Sequence, residues 1–228
     1  MKPFNKYFEH TLLKSNATDE DIKKLLDEAL KYNFYGVCVN GCHVATASEY
    51  LKGSDIKVVT VIGFPLGCGS TASKVAETID TIKNGAYEID SVLNVGALKS
   101  GRYDDIASEL HALSSLCHHN SCKLKLILEI CLLTEDEIVK ACQMAVDSGV
   151  DFVKTSTGFS TGGATVKSVN LMRQTVGDKV GIKAAGGIRT LDDARAFIEA
   201  GADRLGCSAS VEVLKAFLDS SFIAYPTP

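Results

Sequence analysis

The stretch "KLKLILEICLLTEDEIVKACQMAVDSGVDFVKTS", residues 123–156, contains an apolar run, an amphipathic run and a second apolar run. The outer two, KLKLILEI (123–130) and DFVKTS (151–156), are short and β-rich, as expected of strands buried on both faces. Between them, 134–148 carries apolar residues at helical spacing, and Thr134 with Glu137 three positions on supplies a helix-start signal. A strand, a helix and a strand in this order form a βαβ unit. The two strands of such a unit run parallel.

The same alternation recurs on both sides. Strands are expected at YFEHTL (7–12), GVCVN (36–40), KVVTVIGF (57–64), EIDSVLNV (88–95), VGIKAA (180–185) and DRLGCS (203–208). Helices are expected at 18–31, 44–52, 71–85, 103–117, 165–176, 191–200 and 209–219, with Thr190 as a further cap before LDDARAFIEA. Eight strands alternating with eight helices in 228 residues predict an α/β fold, a single (β/α)8 TIM barrel over residues 1–228. A doubly wound open sheet is the alternative, because periodicity does not show closure. In a barrel the functional residues lie at the C-terminal ends of the strands.

A net charge of −4 and the absence of a long basic run argue against nucleic acid or an anionic membrane as partner, and for a small molecule. The N-terminal MKPFNKYFEHTLLKSN has no uninterrupted apolar stretch, and no segment reaches the ~20 apolar residues of a membrane span. A soluble, cytoplasmic protein is expected. Its eight cysteines are scattered through predicted strands and helices, which favours reduced thiols over a disulfide framework. Two clusters, Cys38/Cys42/His43 and Cys117/His118/His119/Cys122, lack the paired short spacings of a structural zinc site. No metal and no cofactor are expected.

Lys154 stands inside an apolar strand, where an ammonium is costly unless it is paired, neutralised or able to snorkel to water. Strand parity extends the observation, since successive residues face opposite sides. If Lys154 points inward, so do Asp90, Lys125 and Glu129, Lys183 and, on the first strand, Glu9. Three acids then meet three bases. Such a set is either a self-neutralised structural network or a site, and several charges converging in one concavity favour the site.

Lys154 and Lys183 end consecutive strands, which lie ~4.8 Å apart in a parallel sheet. A second ammonium that close, together with burial, lowers the pKa of the first. A neutral lysine attacks carbonyls to form a Schiff base, an electron sink for making or breaking the adjacent carbon–carbon bond. Asp90 and the second lysine are placed to move the protons. A phosphate site is expected nearby: AAGGIRT puts Gly186 and Gly187 after the seventh strand, and GCSAS puts Gly206 and Ser208 before the last helix.

Seven stretches in order, HTLLKSNAT, VCVN, TVIGFPLG, EIDSVLNVGALKSG, LILEICLLT, DFVKTSTGF and GIKAAGGIRT, resemble the successive motifs of the deoxyribose-phosphate aldolases across nearly the full length. The resemblance implies a metal-independent class I aldolase that reversibly cleaves 2-deoxy-D-ribose 5-phosphate to acetaldehyde and D-glyceraldehyde 3-phosphate. Carried over by motif, Lys154 is the Schiff-base lysine, Lys183 the lysine that perturbs it and Asp90 the proton-relay acid. Gly186, Gly187 and Ser208 hold the phosphate, and Lys125 and Glu9 belong to the polar shell that binds substrate. A homo-oligomer, dimer or tetramer, is compatible with it.

The chain departs from the family pattern in two places. Glu9 stands where members usually carry aspartate, and Ala209 follows Ser208 where a second serine is common, which keeps a backbone N–H but removes a hydroxyl contact. Cys38 reads as a small buried hydrophobe, Tyr225 in the tail as a candidate cover for the barrel mouth, and His118 and His119 as partners of a helix dipole. The rival readings are another Schiff-base lyase or transaldolase, a non-catalytic sugar-phosphate binder, and a metal-dependent aldolase.

Overall fold

A computed structural model describes residues 2–223. Tyr225 lies outside the described residues. Eight parallel strands close into a barrel in sequence order: β1 (Phe8–Leu12), β2 (Gly36–Val39), β3 (Lys57–Ile62), β4 (Glu88–Val92), β5 (Lys123–Ile127), β6 (Phe152–Lys154), β7 (Gly181–Ala185) and β8 (Arg204–Cys207). The ring is completed by β8 pairing with β1. The open-sheet alternative is thereby excluded.

Around it lie helices α1 (Asp19–Tyr32), α2 (Val44–Tyr50), α3 (Thr71–Lys83), α4 (Val95–Lys99), α5 (Tyr103–His119), α6 (Glu135–Asp147), α7 (Val166–Val176), α8 (Leu191–Glu199) and α9 (Ser210–Ile223). Capping boxes start three of them: Thr18 with Asp21, Thr134 with Glu137, and Thr190 with Asp193. Each satisfies two backbone donors that a helix N-terminus leaves unpaired.

Several strands end earlier than their β-rich composition suggests. Beyond β4, the Asn94 side chain accepts from Ala97 N–H at 3.0 Å and starts α4, a helix the apolar run VLNV conceals. Beyond β5, Glu129 adopts φ 56° and opens a 3-10 turn over Ile130–Leu132. Beyond β6, Thr155 N–H still donates to Lys183 C=O at 3.1 Å, but its hydroxyl donates to Ala185 C=O at 2.9 Å and accepts from Ala185 N–H at 3.0 Å, so a side chain takes over the next pairing.

The strand faces divide the interior into two environments. Outward residues such as Ile89, Leu124, Leu126, Val153, Ile182, Ala184 and Leu205 are buried against the helices in one continuous apolar layer. Inside the barrel, Cys38, Val59 and Val61 pack with Leu13 into a small apolar cluster. Beside it the interior carries charge: Glu9, Glu88, Asp90, Lys125, Lys154 and Lys183 are all buried. Gly206 on β8 makes this possible, because a Cβ there would sit 2.9 Å from the Lys183 Cε.

Candidate active site

Strand register brings the charges together. Lys154 and Lys183 are direct Cα partners across β6 and β7, and Asp90 and Lys125 are partners across β4 and β5. Both Nζ atoms of the first pair donate to the same oxygen, Asp90 Oδ2, at 2.8 Å from Lys154 and 2.7 Å from Lys183. Lys183 also binds Glu9. Lys125 reaches Asp90 Oδ1 at 2.9 Å, Glu88 Oε2 at 2.5 Å and Glu9 Oε1 at 3.6 Å. One network of ion pairs therefore fills the charged side of the barrel.

Glu88 completes this network in place of Glu129, which parity had assigned to the interior. Glu129 follows the end of β5, and its carboxylate instead binds Thr157 at the barrel mouth. Glu88 was legible, since it precedes Asp90 by two positions and so shares its face. Below it, the Tyr35 hydroxyl donates to Glu88, and the Arg204 guanidinium stacks 3.6 Å from the Tyr35 ring centre.

The two lysines are shifted in opposite directions. Burial holds the Lys154 amine below the ordinary lysine range, and the Lys183 charge adds to this against the opposing pull of Asp90. For Lys183 burial also acts against charge, but Asp90 and Glu9 outweigh it and keep the ammonium protonated. Lys125 is held charged in the same way by Asp90, Glu88 and Glu9. Asp90, despite its burial, stays well below the usual carboxylate range under three lysines. The charges balance when Lys154 is neutral, with Lys125, Lys183 and Arg204 facing Glu9, Glu88 and Asp90.

Access separates the lysines further. A cavity of about 410 Å³ opens at the C-terminal ends of the strands, and Lys154 is the one member of the network that lines it. Lys154 is 2% exposed, whereas Asp90, Lys125, Lys183 and Glu9 are 0% exposed. Lys125 and Glu9, expected to contact substrate, instead lie beneath the cavity floor. They hold Asp90 and Lys183.

The opposite wall is formed by Gly186, Gly187, Ile188 and Arg189 after β7 and by Gly206, Cys207 and Ser208 at β8. Gly187 has φ 85° and no atom within 4 Å of where a Cβ would stand, so its backbone faces open space. Gly186 has φ 87° and packs so closely that a Cβ would lie 2.9 Å from the Gly163 Cα. Ser208 is exposed just before α9. Lys14 and Arg189, which the sequence reading left aside, add two cations to this lining, and each follows the end of a strand. Their signal was position at a strand terminus.

Cys38 lies inside the barrel, where burial pushes its thiol up. His118, in the last turn of α5, binds Asp151 at 2.9 Å. Among the described residues no group of three or more His, Cys, Asp or Glu is placed to hold a metal ion, and no helix is long and apolar enough to cross a membrane. A larger depression of about 560 Å³ sits at the N-terminal ends of the strands, lined by Lys2, Arg173 and Asp203 among others. Both cations there are already bound, Lys2 to the Asp203 carbonyl and Arg173 to the Asp203 carboxylate.

A family model described as DeoC/LacD family aldolase matches residues 3–215. The chain is 56% identical over 211 residues to a deoxyribose-phosphate aldolase of Streptococcus equi subsp. zooepidemicus, covering 92% of this chain and 95% of that one. It is 53% identical to the corresponding protein of Thermococcus gammatolerans, over 92% and 94% of the two chains. Among solved structures, an aldolase designated QR15 matches with TM-score 0.92 at 37% identity, over 99% and 100% of the chains. The tetrameric deoxyribose phosphate aldolase of Aeropyrum pernix matches with TM-score 0.89 at 30% identity, over 95% and 92%. With a closed barrel, a buried lysine network that opens to the mouth at Lys154 and a match over most of its length, the chain belongs to the DeoC/LacD aldolase family.

Proposed function

We propose that the protein is a class I aldolase that cleaves 2-deoxy-D-ribose 5-phosphate reversibly to acetaldehyde and D-glyceraldehyde 3-phosphate, with Lys154 as the Schiff-base residue. The observation that carries the reading is the pairing of two lysines on one Asp90 oxygen, with only Lys154 open to the cavity. The neutral Lys154 amine adds to the C1 aldehyde of the open-chain sugar, and protonation of the resulting hydroxyl lets it leave as water. The iminium then draws the electron pair of the C2–C3 bond as a base takes the C3 hydroxyl proton. D-Glyceraldehyde 3-phosphate leaves. The remaining enamine is protonated at C2, and water returns acetaldehyde and free Lys154.

Asp90 bridges Lys154 and Lys183 and is the group through which protons pass between the cavity and the network. Gly186, Gly187 and Ser208 offer the phosphate a side-chain-free approach and a hydroxyl, and Lys14 and Arg189 offer charge. A cytoplasmic location belongs to the same proposal, supported by eight free cysteines that suit a reducing compartment. So does a homo-oligomer, supported by the tetrameric relative.

The test is borohydride reduction in the presence of acetaldehyde, followed by peptide mapping. A reduced two-carbon adduct is expected on Lys154, within the peptide spanning 151–159, and chelators should leave turnover intact. An adduct confined to another lysine, or activity lost to chelator and restored by metal, would overturn the assignment.

A further inference from the structure

Alternating strand faces stack the barrel interior in layers drawn from alternate strands. The even strands place Gly36, Glu88, Phe152 and Arg204 at the N-terminal pole, and the odd strands place Glu9, Val59, Lys125 and Lys183 above them. The even strands again place Cys38, Asp90, Lys154 and Gly206 beneath the mouth. Such layers are ordinarily filled by branched apolar side chains. Here the lowest one holds a glutamate and an arginine, far from any carbonyl that Lys154 could attack.

Glu88 is fully buried and joins this pole to the layers above. Its Oε1 accepts from the Tyr35 hydroxyl, and the Arg204 guanidinium lies 3.6 Å from the Tyr35 ring centre and 5.6 Å from that of Phe152. Gly181 leaves room for Phe152, since a Cβ there would stand 2.3 Å from the ring. Cation and rings attract one another, which holds the phenol in place. The second oxygen, Oε2, lies 2.5 Å from Lys125 Nζ. Lys125 touches all three layers: Glu88 below, Glu9 at 3.6 Å on its own level, and Asp90 Oδ1 at 2.9 Å above.

We propose that Glu88, held by Tyr35 and Arg204, is a positioning residue for the reaction: it takes a share of the Lys125 ammonium away from Asp90, and so sets how firmly Asp90 grips Lys154. The inference rests on the aldolase reading above and adds a control on its nucleophile from the opposite pole. Glu88, Tyr35 and Arg204 do not line the cavity at the mouth, so a substitution there does not act by touching substrate.

The geometry fixes the sign. If Glu88 is neutral, Lys125 returns to Asp90. Lys154, on the other oxygen of that carboxylate, then meets a weaker anion and gives up its proton more easily. Loss of the Tyr35 hydroxyl does the reverse, because Glu88 with one donor fewer holds Lys125 harder and leaves Asp90 to Lys154. The groups facing Glu88 are Lys125, Tyr35, Arg204 and Lys2. Those facing Lys154 are Asp90, Lys183 and Cys38. Near neutral pH Glu88 stays ionised despite its burial, under Lys125, Tyr35 and Arg204, and burial with the Glu88 carboxylate keeps the Tyr35 hydroxyl protonated. Lys2 is pushed down to about 8 by burial and Arg204 and titrates in every variant, so the proteins are compared at matched pH.

The experiment is competitive acetylation with trace acetic anhydride, which reacts with neutral amines, mapped on the peptide spanning 151–159 from about pH 6 to 10. Relative to the wild-type protein, the Lys154 midpoint should move to the acid side by about a unit in Glu88→Gln and to the alkaline side by about half a unit in Tyr35→Phe. Below the midpoints these are about a tenfold gain and a threefold loss of reactive amine. The acid limb of the pH profile for deoxyribose 5-phosphate cleavage should move with them.

A merely structural Glu88 would lower the urea midpoint of both variants and leave the Lys154 midpoint in place, which overturns the inference. Shifts in the same direction in the two variants overturn it as well. Should Glu88→Gln not fold, Tyr35→Phe, which keeps its ring on Arg204, decides alone: an alkaline shift supports the coupling, and an acid shift or none refutes it. Trapping of acetaldehyde on Lys154 in the wild-type protein is the separate control, because acetylation reads the amine without turnover. Shifted midpoints without that adduct strike the aldolase reading and leave the coupling standing; the adduct with unshifted midpoints strikes the coupling alone.

Discussion

Lys154 and Lys183 are the same residue type at the same level of neighbouring strands, yet their surroundings shift their pKa values in opposite directions. The difference lies in carboxylates: Lys183 binds both Asp90 and Glu9, while Lys154 shares Asp90 with two competitors. An unperturbed lysine has a pKa of ~10.4 and is about one part in a thousand neutral near pH 7, so catalysis depends on this asymmetry. Lys183→Met removes a charge that lowers the Lys154 pKa and frees Asp90 to pair with Lys154 more strongly. Both changes act in one direction, raising the Lys154 pKa. Single-turnover adduct formation in the variant should be slow at neutral pH and recover as pH rises, with its midpoint moved to the alkaline side by about a unit. A variant impaired equally at every pH would assign Lys183 a proton-transfer role instead.

At the level of elements, the strand interiors were legible and their ends were not. Runs such as KLKLILEI announce a strand because both faces must be apolar or paired, and parity within them located Asp90, Lys125, Lys154 and Lys183 on one face. Where a strand stops is decided by single side chains that bind backbone: Asn94 capping α4, Thr155 bridging to Ala185, Glu129 turning to reach Thr157. None of these announces itself by periodicity, which is why parity carried Glu129 into an interior it does not occupy. The glycines after β7 were legible as a turn, but their different constraints, packing at Gly186 and open space at Gly187, depend on what the fold brings against them. Gly187→Glu sets a side chain and a negative charge into the cavity at a backbone angle that disfavours any side chain. Use of deoxyribose 5-phosphate should fall at least tenfold more than use of unphosphorylated deoxyribose, measured as kcat/KM. Equal losses on the two substrates would remove the glycine loop from the phosphate site.

For the whole molecule, the charged interior links the chemistry to folding, and the sign of the link differs among its members. Asp90 and Glu88 have depressed folded pKa values, so their contribution to stability is present above the unfolded carboxylate range near pH 4 and is lost as pH falls through their folded values. Lys125 and Lys183 are raised, so their contribution is complete below ~10.4 and is lost as pH rises through their folded values. Lys154 runs against its neighbours. Its folded pKa is depressed, so below ~10.4 the unfolded chain binds the proton more readily than the folded one, and this costs stability that grows as pH falls toward the folded value. Lys154→Met removes that cost, and Asp90 keeps two lysine partners. Lys125→Met instead leaves Glu88 and Asp90 short of a buried partner, a loss of about 3–5 kcal/mol. Urea denaturation at pH 7 should therefore rank Lys154→Met at or above the wild-type protein and Lys125→Met well below it. The advantage of Lys154→Met should shrink as pH is raised toward 10, where the unfolded lysine loses its proton as well. A Lys154→Met variant as damaged as Lys125→Met would show that Lys154 is charged in the resting protein, and that the barrel interior carries one more cation than its carboxylates balance.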